Sequence, residues 1–346
     1  MKILQKYRQY KKRQSFYKRD SKFINLHSLE NISKKELFEI KKIWPYFDIH
    51  EKDLIYSMMY KKENGFSPYF INDYQFGYIL EKTNPYKQVV SLANKGMIDI
   101  YFDELPLPQI IIKKIANVFY DNKMNIISNN DAVNILLNHK EFVIKPSVET
   151  GCGKGVKVIE LDLSNDNSKY INELLWNYGK NFVVQEKLYQ CKDFARLNPS
   201  SVNCFRVTSI FINGKFDFST ILKVGKIGAK VDNWNNGYLI GVNKDGTLKE
   251  FGYDNNLNKI HSTDNGIIFG GIKINNYENI IQFVHKYHIK YFPNCGIVGW
   301  DIMIDNNNNI RVIEVNLDYP GVVGEQLCSG TFFENYINEI NNLFKK

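Results

Sequence analysis

Two short runs near the C-terminus decide the reading: Ile297-Val-Gly-Trp-Asp301-Ile-Met-Ile304 and Ile310-Arg-Val-Ile-Glu314-Val-Asn316. Both are rich in β-branched residues, and Asn306 to Asn309 between them has turn composition. The pair therefore predicts a hairpin with strands Ile297–Ile304 and Ile310–Val315. Glu314 and Asn316 are two apart, so they share a face, and Asp301 reaches that face from the neighbouring strand. Ile313 and Val315 alternate with them and predict an apolar opposite face, so the acidic face lines something other than bulk water. Two carboxylates and an amide, without His or Cys, suit a hard cation such as Mg²⁺ or Mn²⁺. Mg²⁺ keeps waters and shares substrate phosphates, so the trio predicts a nucleotide–metal site and not a closed cage.

Upstream, Cys204–Ile212 and Phe216–Val224 read as strands joined at Asn213-Gly214, a tight-turn dipeptide. They carry Arg206 and Lys223. An inward-pointing Arg needs an anion and its fork suits phosphate, whereas a structural ion pair is the other reading, above all for Lys223. Further upstream, strands Phe142–Lys145 and Val156–Leu161 flank the turn Lys145-Pro-Ser-Val-Glu-Thr-Gly151-Cys-Gly153-Lys154-Gly155-Val156. Its glycines let backbone N–H groups approach a phosphate, and its lysines add charge. The turn is no Walker loop, because Gly155 stands where Ser or Thr should follow Lys154. It is no dinucleotide fingerprint, because Val156 replaces the third Gly. An ordinary glycine hairpin would look the same. Lys169–Tyr178 reads as a helix and Phe182–Glu186 as a strand. Helical patterns also cover 277–290, 332–344 and Ser28–Tyr60, the last with Ser33 as a cap and Pro45 as a stop. Residues 64–90 read as turn-rich.

The 346 residues suggest two or three domains, and 44% hydrophobic with 24% charged residues is ordinary for a globular chain. Aromatics at 14% argue against disorder. No apolar run approaches the ~18 residues of a membrane span, and no apolar h-region follows the basic N-terminus. Residues 1–24 hold nine basic side chains and one acid, which accounts for the whole net charge of +8. The neutral remainder offers no broad nucleic-acid surface. Ile3, Tyr7, Tyr10, Tyr17 and Ile24 recur at helical spacing among those charges. This basic tail could lie on an anionic membrane surface, remain solvated, or pack on its own protein. Cys152, Cys191, Cys204, Cys295 and Cys328 are scattered with no CxxC, which fits reduced thiols and a cytoplasmic protein, at the inner membrane surface if the tail binds there.

These elements, in this order, resemble the ATP-grasp superfamily and within it the sugar-transfer-associated ATP-grasp family, whose relatives sit among polysaccharide and surface-glycan biosynthesis genes. The resemblance rests on Asn94-Lys95-Gly96, Leu107-Pro108, Val143-Ile-Lys-Pro146 with its glycine turn, and Val184-Gln185-Glu-Lys-Leu188. It continues through Leu197-Asn-Pro-Ser-Ser-Val-Asn-Cys-Phe-Arg206, Val231-Asp-Asn-Trp234, Gly299-Trp-Asp301 and Ile313-Glu-Val-Asn316. It implies an α+β ATP-grasp fold. A basic tail (1–24) and a mainly helical region (25–90) would precede an ATP-grasp domain (91–346). The small lid lobe would span about 128–188 and the larger antiparallel, metal-binding lobe about 189–346. It further implies that Lys95 and Lys145 grip the phosphates of ATP and that Gly151, Gly153, Lys154 and Gly155 form a lid over them. Gln185, Glu186, Lys187 and Leu188 would form the adenine hinge, faced by Ile313, and Asp193 would hold the ribose. Asp301, Glu314 and Asn316 would bind Mg²⁺, and Arg206 and Lys223 would act on the transferred phosphate. Three positions depart from the pattern: Asp193 is shorter than the Glu of many relatives, Asn94 precedes Lys95 where many relatives have Asp, and Gly299 stands where some ligases carry an Arg.

The implied activity is an ATP-dependent carboxylate–amine ligase working through an acyl phosphate, with a small-molecule or glycan carboxylate and an amine as substrates. A phosphotransferase on a hydroxyl, or a non-catalytic partner that docks a glycosyltransferase through residues 1–24, are the alternatives. Among lesser candidates, His285 and His288 read as surface residues, His261 as a loop residue near substrate, Cys152 as a small lid residue, and Asn233 and Trp234 as acceptor-site or packing residues.

Overall fold

The structure, a computed structural model, describes residues 11, 13–21, 24, 27–148, 153–229 and 234–345. Expectations on Ile3, Tyr7, Tyr10, Gly151, Cys152 and Asn233 lie outside these residues.

Two antiparallel sheets organise the chain. The first has the order β3-β2-β1-β6-β4-β5, with β1 Ile110–Ile115, β2 Val118–Asp121, β3 Ile126–Ile127, β4 Glu141–Pro146, β5 Lys157–Glu160 and β6 Phe182–Gln185. The second has the order β11-β10-β9-β8-β7-β12-β13: β7 Cys204–Ile212, β8 Lys215–Gly225, β9 Gly237–Val242, β10 Leu248–Tyr253, β11 Lys259–Ile260, β12 Ile297–Ile304 and β13 Ile310–Asn316. The first sheet takes in β1 to β3 as well as the expected lid strands, so it begins at Ile110, upstream of 128. Lys113 and Lys114 interrupt the isoleucines of β1 and hide the strand in the sequence. Lys113 is fully buried because Asp99 receives its ammonium at 2.7 and 2.8 Å.

The N-terminal region is helical, as expected, but its parts differ. Pro45 ends α1 (Lys34–Ile43), capped by Ser33 and Glu36, and α2 (Ile55–Asn64) follows as a separate helix. The stretch read as turns contains α3 (Asp73–Thr83), whose Asn72–Gln75 capping box and buried Phe76, Ile79 and Leu80 override the flanking turn residues. In the first lobe α4 (Asn129–Leu137) packs against α5 (Ser168–Asn177). The linker to the second sheet holds α6 (Lys192–Ala195). The second sheet is followed by α8 (Val323–Ser329) and α9 (Ile337–Phe344), and α7 (Tyr277–Tyr291) precedes β12.

Alternation along β7 sorts the second sheet's faces. Phe205 and Val207 join the core beneath α7 with Trp300 and Ile302 of β12. Ile210 and Ile212 join the opposite core with α3 residues Phe76 and Ile79. Arg206 and Thr208 have the same parity as Ile210, so the N-terminal helices cover one end of the face on which Arg206 stands.

The described part of the N-terminal segment, from residue 13 onward, packs on its own protein. The helical stretch 13–20 places Arg13 against Asp53 (3.0 Å), and Arg19 against Asp73 (2.5 Å). Tyr17 and Ile24 rest on the core around Tyr56 and Tyr60. His288, expected at the surface, is fully buried. It shares a hydrogen bond of 2.8 Å with Ser209 Oγ and another of 2.8 Å with the Cys295 carbonyl, and burial pushes its pKa down to about 4. It therefore serves the core as a neutral side chain. Among the described residues no helix is long and apolar enough to cross a membrane.

Candidate functional site

The C-terminal hairpin forms with Asp301 paired to Glu314 on β13 and to Arg206 on β7. Directly paired residues project to one side, so Glu314, Asp301 and Arg206 stand in a row across three strands. Between Asp301 and Ile302 the register slips, and Ile302 pairs with Val312. Ile313 is the extra residue of a β-bulge. This corrects the expected alternation: the bulge turns Ile313 toward the same cleft as Glu314, and Val315 reaches that cleft as well.

The row is tightly paired. Arg206 holds Asp301 through Nε–Oδ1 at 2.7 Å and Nη2–Oδ2 at 2.9 Å, and Lys223 Nζ lies 3.2 Å from Oδ1. Asn316 Nδ2 lies 3.4 Å from Asp301 Oδ2. Burial alone would raise the Asp301 carboxyl, but Arg206 and Lys223 outweigh it and hold it well below the usual carboxylate range. Arg206 also donates to the Pro320 carbonyl at 2.6 Å. Next to it, Thr208 donates to Glu325 at 2.6 Å, and burial raises that carboxyl.

The first sheet forms the other wall of the cleft. Lys145 (β4), Gln185 (β6) and Ile110 (β1) line it together with Lys95, Leu107, Pro108, Ile313 and Glu314. Lys95 Nζ bridges the two sheets to Glu314 Oε1 at 2.9 Å, and the Lys95 N–H donates to the Ser147 carbonyl at 2.9 Å. The cleft thus pairs cations with carboxylates at one end and offers Leu107, Pro108 and Ile313 as apolar walls. Asp99, the partner of Lys113, also lines it. Sequence reading missed Asp99, although a lysine inside a buried strand signals that an acid lies near.

Other expected residues fall around the cleft. Beyond the undescribed residues 149–152, Gly153, Lys154 and Gly155 are exposed in a turn between paired β4 and β5. Gly155 has φ +80° and a Cβ there would lie 2.9 Å from Pro146 Cγ, so the turn needs glycine. Tyr178 pins it by donating to the Gly155 and Ile144 carbonyls. The Glu186 carboxylate accepts from the Gln109 N–H at 2.9 Å and from Arg311, and its own N–H donates to the Gln109 carbonyl. Lys187 bonds Glu141 and Glu160, both at 2.8 Å. These side chains brace the segment that leads to Leu188.

The structure does not bring Asp193 into this cleft. It accepts from Asn275 at 3.1 Å and lines a separate cavity with Ile304, Ile310 and Tyr287. Ile304 is three residues beyond Asp301 and so belongs to the sheet's other face. The segment Asn198-Pro-Ser-Ser-Val-Asn203 is structural: Gln190 donates to the Asn198 and Ser201 carbonyls at 2.9 and 2.8 Å, and Asn203 to the Phe194 carbonyl at 2.7 Å. His261 bonds the Glu250 carbonyl at 3.2 Å, and Trp234 packs against the core cluster that holds Tyr56, Tyr60 and Tyr253.

Asp301, Glu314 and Asn316 fit a Mg²⁺ ion by donor chemistry, all three offering oxygen from one face. Among the described residues no group of three or more His, Cys, Asp or Glu forms a cage. Two carboxylates and an amide leave coordination positions to water and substrate phosphate, which is the usual sharing for Mg²⁺.

No curated protein matches the sequence. Solved structures with a similar chain path include D-alanyl-alanine synthetase A from Vibrio cholerae O1 (TM-score 0.43, 11% identity, 74% of this chain and 65% of that one). They also include D-cycloserine synthetase (0.42, 14%, 78% and 76%) and a D-alanine–D-alanine ligase from Helicobacter pylori (0.38, 16%, 74% and 58%). The chain therefore spans just under two thirds of the Vibrio protein's length. The family model for sugar-transfer associated ATP-grasp proteins matches residues 77–342, from α3 to α9 and across both sheets. The chain belongs to the sugar-transfer associated ATP-grasp family and carries its α+β fold.

Proposed function

We propose that this chain is an ATP-dependent ligase that joins a carboxylate to an amine, with ADP and phosphate as products. One observation carries the reading: the Glu314–Asp301–Arg206 row reaches, at Glu314, a cleft that Lys95 and Lys145 also line. Oxygen donors and cations meeting in a slot with apolar walls suit a nucleotide triphosphate, adenine toward Ile313, Leu107 and Pro108, phosphates toward Lys95 and Lys145.

In the ligated state the cations release their carboxylates to the incoming phosphates. Lys95 leaves Glu314 for a phosphate oxygen, and Lys145 faces the same oxygens. Asp301, Glu314 and Asn316 would hold Mg²⁺, which supplies charge neutralisation on the phosphates. Arg206 and Lys223 stand where charge spreads over the transferred phosphoryl group. An oxygen of the substrate carboxylate attacks the γ-phosphorus and the bond to ADP breaks, giving an acyl phosphate. The amine nitrogen then attacks the acyl carbon, phosphate leaves, and the amine proton passes to solvent. The β4–β5 turn would cover the acyl phosphate and exclude water, which otherwise hydrolyses it. The family's association with sugar transfer supports a sugar-linked or polysaccharide precursor as the acid or the amine.

The test is calorimetric titration of MgATP into the chain and its Glu314→Gln variant, followed by ADP release with uronic or amino-sugar acids and amines. Saturable Mg²⁺-dependent binding that Glu314→Gln weakens, with ADP release that needs both acid and amine, supports the ligase. A stable phosphorylated product formed without amine assigns the site to phosphotransfer on a hydroxyl. A folded chain that binds no MgATP overturns both.

A further inference from the structure

Beyond Asn316 the chain leaves β13 and has no regular secondary structure until α8. This loop starts at Asn316, the last residue of β13, and carries the Pro320 carbonyl that receives Arg206. Its position is set by side chains from the N-terminal region. Asn84 Nδ2 donates to the Leu317 carbonyl at 2.9 Å and to the Ile297 carbonyl at 2.6 Å, tying the loop to the start of β12. Tyr319 Oη donates to Asp73 Oδ1 at 2.6 Å, and the Tyr319 ring meets Phe76 of α3 edge-on.

Asp73 is buried, as is Asp20. Arg19 supplies charge to both, with Nη2 2.5 Å from Asp73 Oδ2 and Nε 2.5 Å from Asp20 Oδ1. Tyr56 adds a bond of 3.1 Å to Asp20. Two buried carboxylates deprived of their shared guanidinium would be uncompensated, and the cheapest relief is movement toward water. That displaces the acceptor that Tyr319 holds. The series Arg19, Asp73, Tyr319 therefore runs from the arm to the residue between Asn316 and the Arg206 contact.

Resting on the nucleotide–metal reading above, we infer that the N-terminal arm is a positioning element of that site, acting through Arg19, Asp73 and Tyr319 on the Asn316–Pro320 loop. The arm touches no substrate. It fixes where Asn316 and the Pro320 carbonyl stand, and through the latter the direction of Arg206. Such coupling is reciprocal: if a docked arm improves MgATP binding, bound MgATP holds the arm down more firmly.

The experiment titrates ATP, with Mg²⁺ and separately with EDTA, into the full chain and into Tyr319→Phe, Arg19→Gln, Arg19→Lys and Asn316→Ala, with a thermal melt of each. Tyr319→Phe removes one hydroxyl, and Arg19 is half exposed, so both variants are expected to fold. Tyr319→Phe and Arg19→Gln should weaken MgATP binding about five- to tenfold while changing binding in EDTA less than about twofold, and Arg19→Lys should recover most of the loss. Amide exchange across residues 13–20 should slow when MgATP binds. Wild-type MgATP affinity in both arm variants, beside a weakened Asn316→Ala, overturns the inference. Equal loss with and without Mg²⁺ also overturns it, because that marks a general structural role. A wild-type chain that binds no MgATP overturns the site reading itself, and the inference with it.

Discussion

Lys145 stands partly buried beside Lys95 and Glu314. Burial pushes its pKa down to about 8, with Glu314 opposing the fall and Lys95 adding to it. The free protein therefore loses this cation as pH rises through 8, and a phosphate needs it charged. MgATP affinity should fall about tenfold between pH 7 and pH 9, with a proton taken up on binding near pH 8.5. Calorimetry in two buffers of different ionisation enthalpy measures the uptake, and Lys145→Arg should flatten the profile. Gly225 makes a second prediction at this scale. A Cβ there would lie 2.5 Å from Ser201 Oγ and 2.7 Å from Asn198 Nδ2, inside a buried amide network. Gly225→Ala should cost about 2 kcal/mol, seen as a lower denaturant midpoint at unchanged slope. Positions that follow from strand alternation within a hairpin were legible: Asp301 and Glu314 meet because their strands pair as read, whereas the pairing of β7 with β12 that sets Arg206 beside Asp301 was not. Asp193 was not, because a single helical turn after the hinge aims it at Asn275, and spacing in sequence says nothing of that direction. Ile313 reached the cleft by a bulge, which no periodicity announces.

At the level of elements, the β4–β5 hairpin is the part most open to motion, with its glycines exposed and Tyr178 tying them to α5. Tyr178→Phe should leave the fold intact and speed amide exchange from Val156 to Ile159, the loss of one hydrogen bond being worth about 1 kcal/mol of local opening. Hydrogen exchange with mass spectrometry checks it. The hairpins β7–β8 and β12–β13 and the helices α5 and α7 were legible because long apolar runs and a tight-turn dipeptide mark them. The helix α3 was hidden among Pro68, Asn72 and Asn84-Pro85, and β1 behind two lysines. In each case tertiary packing, the burial of Phe76, Ile79 and Leu80 or the carboxylate of Asp99, decided what local composition left open.

For the molecule as a whole, the cleft draws one wall from each sheet, so a ligand that fills it adds contacts between the lobes. MgATP at about a hundred times its dissociation constant should stabilise the fold by about 2.7 kcal/mol, read as a rise in melting temperature that grows with the logarithm of ligand concentration. Glu314→Gln should blunt that rise. The order of elements was legible in the sequence and the order of strands was not: β1 pairs with β6 across a long separation, and only the folded chain shows it.

That pairing has a consequence for the small lobe. Its core is drawn from residues between Ile111 and Val184, and its entrance and exit are neighbours, Ile110 beside Gln185 and Gln109 bonded twice to Glu186. The lobe is therefore a cassette on a pair of adjoining doorposts. A few residues joining Gln109 to Glu186 would excise it without leaving a gap to bridge, and the excised piece would carry its own core and Lys145. The chain could thus be taken apart into two half-sites and reassembled in trans, each half holding one side of the charge that the cleft brings together.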